Sequence, residues 1–135
     1  ARIGIDLQSN VMPPATLREL MAKAEAPVFR ASWIADYPDA ENYLALFYSP
    51  NHAPAGPNYT RFSNPEFDRI YQQSKVVVID SARYEYYKKL DSIVIEHAPV
   101  VPLFYDQSVR FLPHYVKNLE TNPLNHMLLK RVKIE

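Results

Sequence analysis

Helical periodicity interrupted by short β-branched runs places this sequence in the α/β or α+β class. Three observations support that class. Asn64-Pro65-Glu66 opens a helix with an N-cap oxygen, a proline at N1 and an acid near the positive dipole end. From Asp80, apolar side chains recur at helical spacing until Pro99. Separated runs beginning at Arg2, Val28, Val100, Ser108 and Met127 have strand composition. No internal repeat or low-complexity segment appears.

In chain order, Arg2 to Gln8 reads as a strand with Ile3, Ile5 and Leu7 on one face. It starts abruptly and without an initiator methionine, as in a piece of a longer chain. Pro13-Pro14 breaks the chain, and Thr16-Leu17-Arg18-Glu19 offers a capping box for a short helix. Leu17, Leu20, Met21 and Ala24 form its apolar stripe, and Pro27 stops it. Val28 to Trp33 predicts a strand, ended by Pro38-Asp39, whose acid can cap a helix over roughly Ala40 to Tyr48. Pro50, Pro54, Gly56 and Pro57 mark a surface loop before the helix at Asn64. Val76 to Ile79 is expected as a buried helix end or loop. Asp80-Ser81 caps the longest helix, with Tyr86, Tyr87, Leu90, Ile93, Val94 and His97 on its apolar side. Val100 to Tyr105, Ser108 to Leu112 and Met127 to Ile134 predict strands, with loop between Pro113 and Asn125.

The 135 residues, 47% apolar and 22% charged, suit one globular domain. Such a domain buries roughly two-thirds of its unfolded surface. Fifteen Lys and Arg balance fifteen Asp and Glu, which removes the electrostatic drive for general nucleic-acid binding. Without cysteine there are no disulfides, thiol nucleophiles or Cys-ligated metals. Two glycines, Gly4 and Gly56, are too few for a phosphate loop or a dinucleotide fingerprint. No stretch approaches the roughly 18 apolar residues of a membrane span.

Candidate chemistry is sparse. There is no G-x-S-x-G elbow, and His52, His97, His114 and His126 lack metal-pair spacing. Asp36 and Asp39 offer a carboxylate pair for an acid–base hydrolase, although capping accounts for Asp39. Tyr43, Phe47, Phe67, Tyr71, Tyr86 and Tyr87 lie at helical spacings and are expected to pack. Lys130, Arg131 and Lys133 read as a solvated strand edge. The informative segment is Phe29 to Leu44, F-R-A-S-W-I-A-D-Y-P-D-A-E-N-Y-L, which sets an indole and an acid side by side where a strand ends.

W-I-A-D-Y-P-D, a proline-rich loop with G-P-N-Y, then F-S-N-P-E-F-D-R-I and P-V-V-P-L-F-Y, in that order over nearly the whole chain, closely resembles the C-terminal quarter of the family 5 solute-binding proteins. These are oligopeptide- and dipeptide-binding receptors of bacterial ABC importers. The resemblance implies the C-terminal portion of an α/β, two-lobed, type II periplasmic-binding-protein fold. Residues 1–98 would belong to the second ligand-binding lobe; residues 99–135 would cross the hinge and return to the first, whose remainder lies in the N-terminal part of the same protein.

By the same resemblance, Asp36 pairs with a peptide's α-ammonium group and Trp33 lines a side-chain pocket, with Tyr37 completing the motif. Arg30 falls where some members turn an arginine toward the ligand's carboxylate or a neighbouring acid, and Asp106 where the hinge meets the ligand. Ser32 replaces the common glycine before the tryptophan, and Ala40 the common proline after the turn. The implied partners are a peptide and the permease subunits of an importer, in the periplasm or on a lipid anchor outside the cytoplasm, with no nucleic acid. No cofactor, metal or catalysis is implied. A nickel chelate, haem, sugar or opine is the alternative ligand on the same scaffold, and an acid–base hydrolase is the alternative of a different class.

Overall fold

The computed structural model describes residues 4–105, 107, 109–122, 124 and 126–135. Among them run helices α1 (Pro14–Lys23), α2 (Glu41–Leu44), α3 (Pro65–Lys75) and α4 (Asp80–His97), with 3-10 turns at Ala45–Phe47, Ser49–Asn51 and Leu129–Arg131. Two short strands, β1 (Val116–Lys117) and β2 (Lys133–Ile134), pair antiparallel. None of these helices is long and apolar enough to cross a membrane.

Helix α3 begins where the sequence places it. The Asn64 Oδ1 accepts from the N–H groups of Glu66 at 2.9 Å and Phe67 at 3.0 Å, and Pro65 fills N1, where no N–H is needed. Its buried stripe, Phe67, Ile70, Tyr71 and Ser74, faces Tyr87, Leu90 and Val94 of α4, and Leu44 of α2 closes the cluster. Phe67 and Leu90 are fully buried. Each large side chain taken from water there contributes about 1.5–3 kcal/mol, so this three-helix contact is the main source of local stability. Phe62 stands edge-on to Phe67 with ring centres 5.7 Å apart, extending the core under the proline-rich loop.

That loop is more ordered than a surface excursion. Asn58 is completely buried, and its Nδ2 donates to the carbonyls of Tyr48 at 3.1 Å and Phe62 at 3.0 Å. Its backbone N–H reaches the Asn51 carbonyl at 2.8 Å. Arg61 fastens the loop to the end of α1, donating to the Ala22 carbonyl at 2.8 Å and the Met21 carbonyl at 3.3 Å. Those carbonyls are among the last of α1, which a cation satisfies well.

Several expectations need correction. The Thr16 capping box does not form, because Pro14 at N1 starts α1 two residues earlier, and Glu19 pairs with Lys23 at 2.6 Å instead. Asp80 does not cap α4; it is the first helical residue and pairs with Arg83 at 2.7 Å. Val76 to Ile79 is a loop but an exposed one, with Val78 90% accessible. Tyr43 is exposed, and its neighbours Asn42 and Leu44 are the buried residues of α2.

The strands fare worst. Residues 4–8, 28–33, 100–105 and 109–112 have no ladder, and of the final run only Lys133 and Ile134 pair, with Lys117 and Val116. Arg2, Ile3 and Ser108 lie outside the described residues. A strand is defined by its neighbour, and β-branched composition supplies none. Tyr105 and Phe111 are almost entirely exposed, as unpaired sheet-forming residues are.

Candidate functional site

The site is built on the link from Trp33 to α2. Ala35 is buried and anchors the link, so its neighbours turn outward: Asp36 is exposed, and Trp33 is 37% accessible. Among the described residues no cation pairs with the Asp36 carboxylate. An open carboxylate thus stands within three residues of a half-covered indole.

Helix α2 sets their relation. Asp39 Oδ1 accepts from the Glu41 N–H at 2.9 Å and so braces the turn into α2; the N-cap position is Ala40, with no side-chain cap, so the cap that the sequence predicts from Asp39 does not form. Asp39 Oδ2 faces Arg83 of α4 at 3.0 Å. With α2 so started and pinned, Asn42 points inward with 5% of its surface exposed. The Asn42 Oδ1 accepts both the Trp33 indole N–H, at 2.7 Å, and the Asp36 backbone N–H, at 3.2 Å.

Glu41 supports the outer side, where its carboxylate accepts from the hydroxyls of Tyr37 and Tyr71 and thereby ties the link to α3. The Tyr37 phenol is held above its ordinary pKa chiefly by this bond to Glu41 and next by burial, while the Asn42 amide acts in the opposite direction. Burial pushes Tyr71 up first, with Glu41 adding to it; Tyr87 is raised by burial and then by Asp39. These phenols are therefore neutral donors at physiological pH. A cleft of about 450 Å³ opens beside them, between Tyr37, Glu41, Lys75 and Arg83.

Of the five residues predicted for the site, Trp33, Asp36 and Tyr37 come together. Arg30 meets no acid among the described residues; its guanidinium lies over the Phe104 ring at 5.6 Å, which brings the segment after Pro99 beside the 28–33 run. Asp106 lies outside the described residues. The proposed Asp36 and Asp39 pair has divided roles, since Asp39 is committed to a helix start and to Arg83. Among the described residues no three His, Asp or Glu side chains gather in a way that could hold a metal ion.

Sequence reasoning missed Asn42 and Glu41. Within A-E-N-Y-L both read as ordinary polar helix residues, and the available signal was only that an indole N–H nearby needs a partner when half-buried.

No family model matches the chain. Curated relatives do. The periplasmic murein peptide-binding protein MppA of Escherichia coli strain K12 is 26% identical over 120 residues, 89% of this chain and 22% of MppA. The oligopeptide-binding protein OppA of Bacillus subtilis strain 168 is 28% identical over 103 residues, 76% of this chain and 18% of OppA. Over most of its length the chain is similar to one part of several peptide-binding proteins. One relative in this set, the probable deoxycholate-binding periplasmic protein YgiS of Escherichia coli, is 22% identical over 98% of the chain and 24% of YgiS. The solved structure of MppA in its unliganded open form superposes on 98% of the chain with a TM-score of 0.75 at 24% identity, matching 25% of that structure. The fold is accordingly that of part of a periplasmic binding protein. The chain spans about a quarter or less of the length of these family 5 relatives.

Proposed function

We propose that this chain forms one wall of the ligand cleft in a two-lobed solute-binding protein of an ABC importer, and that Asp36 receives the α-ammonium group of an extended peptide. The observation that carries this reading is the Asp36 carboxylate itself, exposed beside Trp33 and paired with no cation among the described residues. A carboxylate with a structural partner would have little left to offer a ligand. Kinship with MppA and OppA supports a peptide as that ligand.

The magnitudes fit a shared task. An ammonium about 4 Å from Asp36 at an effective dielectric of about 20 gains about 4 kcal/mol before desolvation, whereas micromolar affinity needs about 8. The remainder is assigned to backbone hydrogen bonds along the peptide, which read no side chains, and to burial when the lobes close. In this reading residues 1–98 sit in the second lobe and 99–135 cross toward the first. Trp33 lines a side-chain pocket, and Arg30 is available to the ligand's carboxylate. The protein works outside the cytoplasm, periplasmic or lipid-anchored, delivers to permease subunits and performs no catalysis.

Titrating the two-lobed receptor with a peptide and its N-acetylated form tests the ammonium role. Acetylation is expected to weaken binding at least about tenfold; equal affinities would remove it. A second reading, a non-peptide solute, is favoured by the kinship with YgiS. A bile acid carries no ammonium, so a receptor of that kind would bind deoxycholate equally well with Asp36 or with Asn at that position.

A further inference from the structure

The buried amide of Asn42 has no evident duty to its own helix. Asp39 already braces the turn into α2, and the Asn42 position is 5% exposed, where an apolar residue would pack at lower cost. Asparagine is also a poorer helix former than leucine or alanine. What the residue does make is a pair of bonds back to the link before its helix: one carbonyl oxygen, able to accept twice, takes the Trp33 Nε1–H at 2.7 Å and the Asp36 N–H at 3.2 Å. Those donors belong to the two site residues that matter most, and they approach the same atom.

We propose that Asn42 is the positioning residue of the ligand site, holding the indole of Trp33 and the backbone of Asp36 in one fixed relation so that apolar wall and carboxylate are presented together. This rests on the reading of Asp36 and Trp33 as ligand-binding residues. Asn42 itself does not touch the ligand. It restricts rotation of the indole and fixes the direction in which the Asp36 side chain leaves the backbone, which lowers the ordering cost of binding.

Trp33 is the sole tryptophan of the chain, so its indole N–H gives an unambiguous signal. In the 135-residue chain, Asn42→Leu is expected to speed hydrogen exchange of that proton at least about tenfold. Asn42→Asp, which keeps an acceptor oxygen, is expected to restore protection. In the two-lobed receptor, Asn42→Leu is expected to weaken a free-amino peptide about tenfold, and a Trp33→Phe/Asn42→Leu double variant hardly further than Asn42→Leu alone. Unchanged indole exchange, unchanged peptide affinity or strictly additive losses would each overturn the proposal. Should Asn42→Leu not fold, Trp33→Phe removes the donor while Asn42 stays; full peptide affinity in that variant overturns it equally. Failure of the ammonium reading is distinguishable, because it appears as unchanged affinity in Asp36→Asn with Asn42 intact.

Discussion

Arg83 faces Asp39 at 3.0 Å, joining the first turns of α4 to the loop that starts α2. Both side chains are about a quarter exposed, and the same Arg83 nitrogen reaches Asp80 at 2.7 Å. The pair transmits the rigidity of the α3 and α4 core to the segment carrying Asp36 and Tyr37. Replacing Arg83 with leucine keeps much of the packing over Tyr87 but leaves Asp39 without its cation. The expected loss is about 1 kcal/mol in urea denaturation, at the upper end for a partly exposed pair. No loss would mean that the pair is screened by solvent.

The core itself predicts a larger effect. Leu90 is fully buried between α3 and α4, so Leu90→Ala removes its methyl groups and leaves a cavity. The expected destabilisation is about 2–5 kcal/mol, read as a lower denaturant midpoint at unchanged slope.

Glycine scarcity leaves its own trace. Helix α4 ends on Ala98 in the left-handed region, with φ 47° and ψ 47°, a position that usually takes glycine. Its N–H bonds the Val94 carbonyl at 2.9 Å, so the cap is formed despite the strained residue. Ala98→Gly is expected to raise stability by about 0.5–1 kcal/mol, since release of the Cβ strain exceeds the added entropy of the unfolded chain. A lower melting temperature would contradict that account.

The raised phenols of Tyr37, Tyr71 and Tyr87 make stability fall in alkali. Below pH about 10 folded and unfolded chains hold these protons alike, and the full stability is present. Above it the unfolded state loses protons that the folded state keeps, so unfolding is favoured progressively as pH climbs toward the folded values. Tyr71→Phe should flatten this decline, measured by denaturation at pH 9 to 11 alongside tyrosinate absorbance. An unchanged slope would show that Tyr71 titrates normally.

What was legible in the sequence follows from how local its causes are. Asn64-Pro65-Glu66 carries its own cap, and α3 begins there. Trp33, Asp36 and Tyr37 are close in sequence, while the relation between Trp33 and Asp36 is set by their shared bonds to Asn42. Strands at 100–105 and 109–112 were not obtained, because a ladder needs a partner that those residues do not contain. The burial of Asn58 and Asn42 was invisible for a related reason: each is fixed by bonds to residues four to ten positions away, and polarity alone suggests exposure. Proline content marked the loop near Gly56 correctly but gave no hint of its packed interior.

The central claim is that the Asp36 carboxylate answers the amino end of a peptide. Calorimetry on the two-lobed receptor, with Asp36 and with Asp36→Asn, each against a free-amino peptide and its N-acetyl form, measures that coupling directly. The account predicts that Asp36→Asn costs about 1.5–3 kcal/mol with the free amine and much less with the acetylated peptide. Equal losses for both ligands would contradict it.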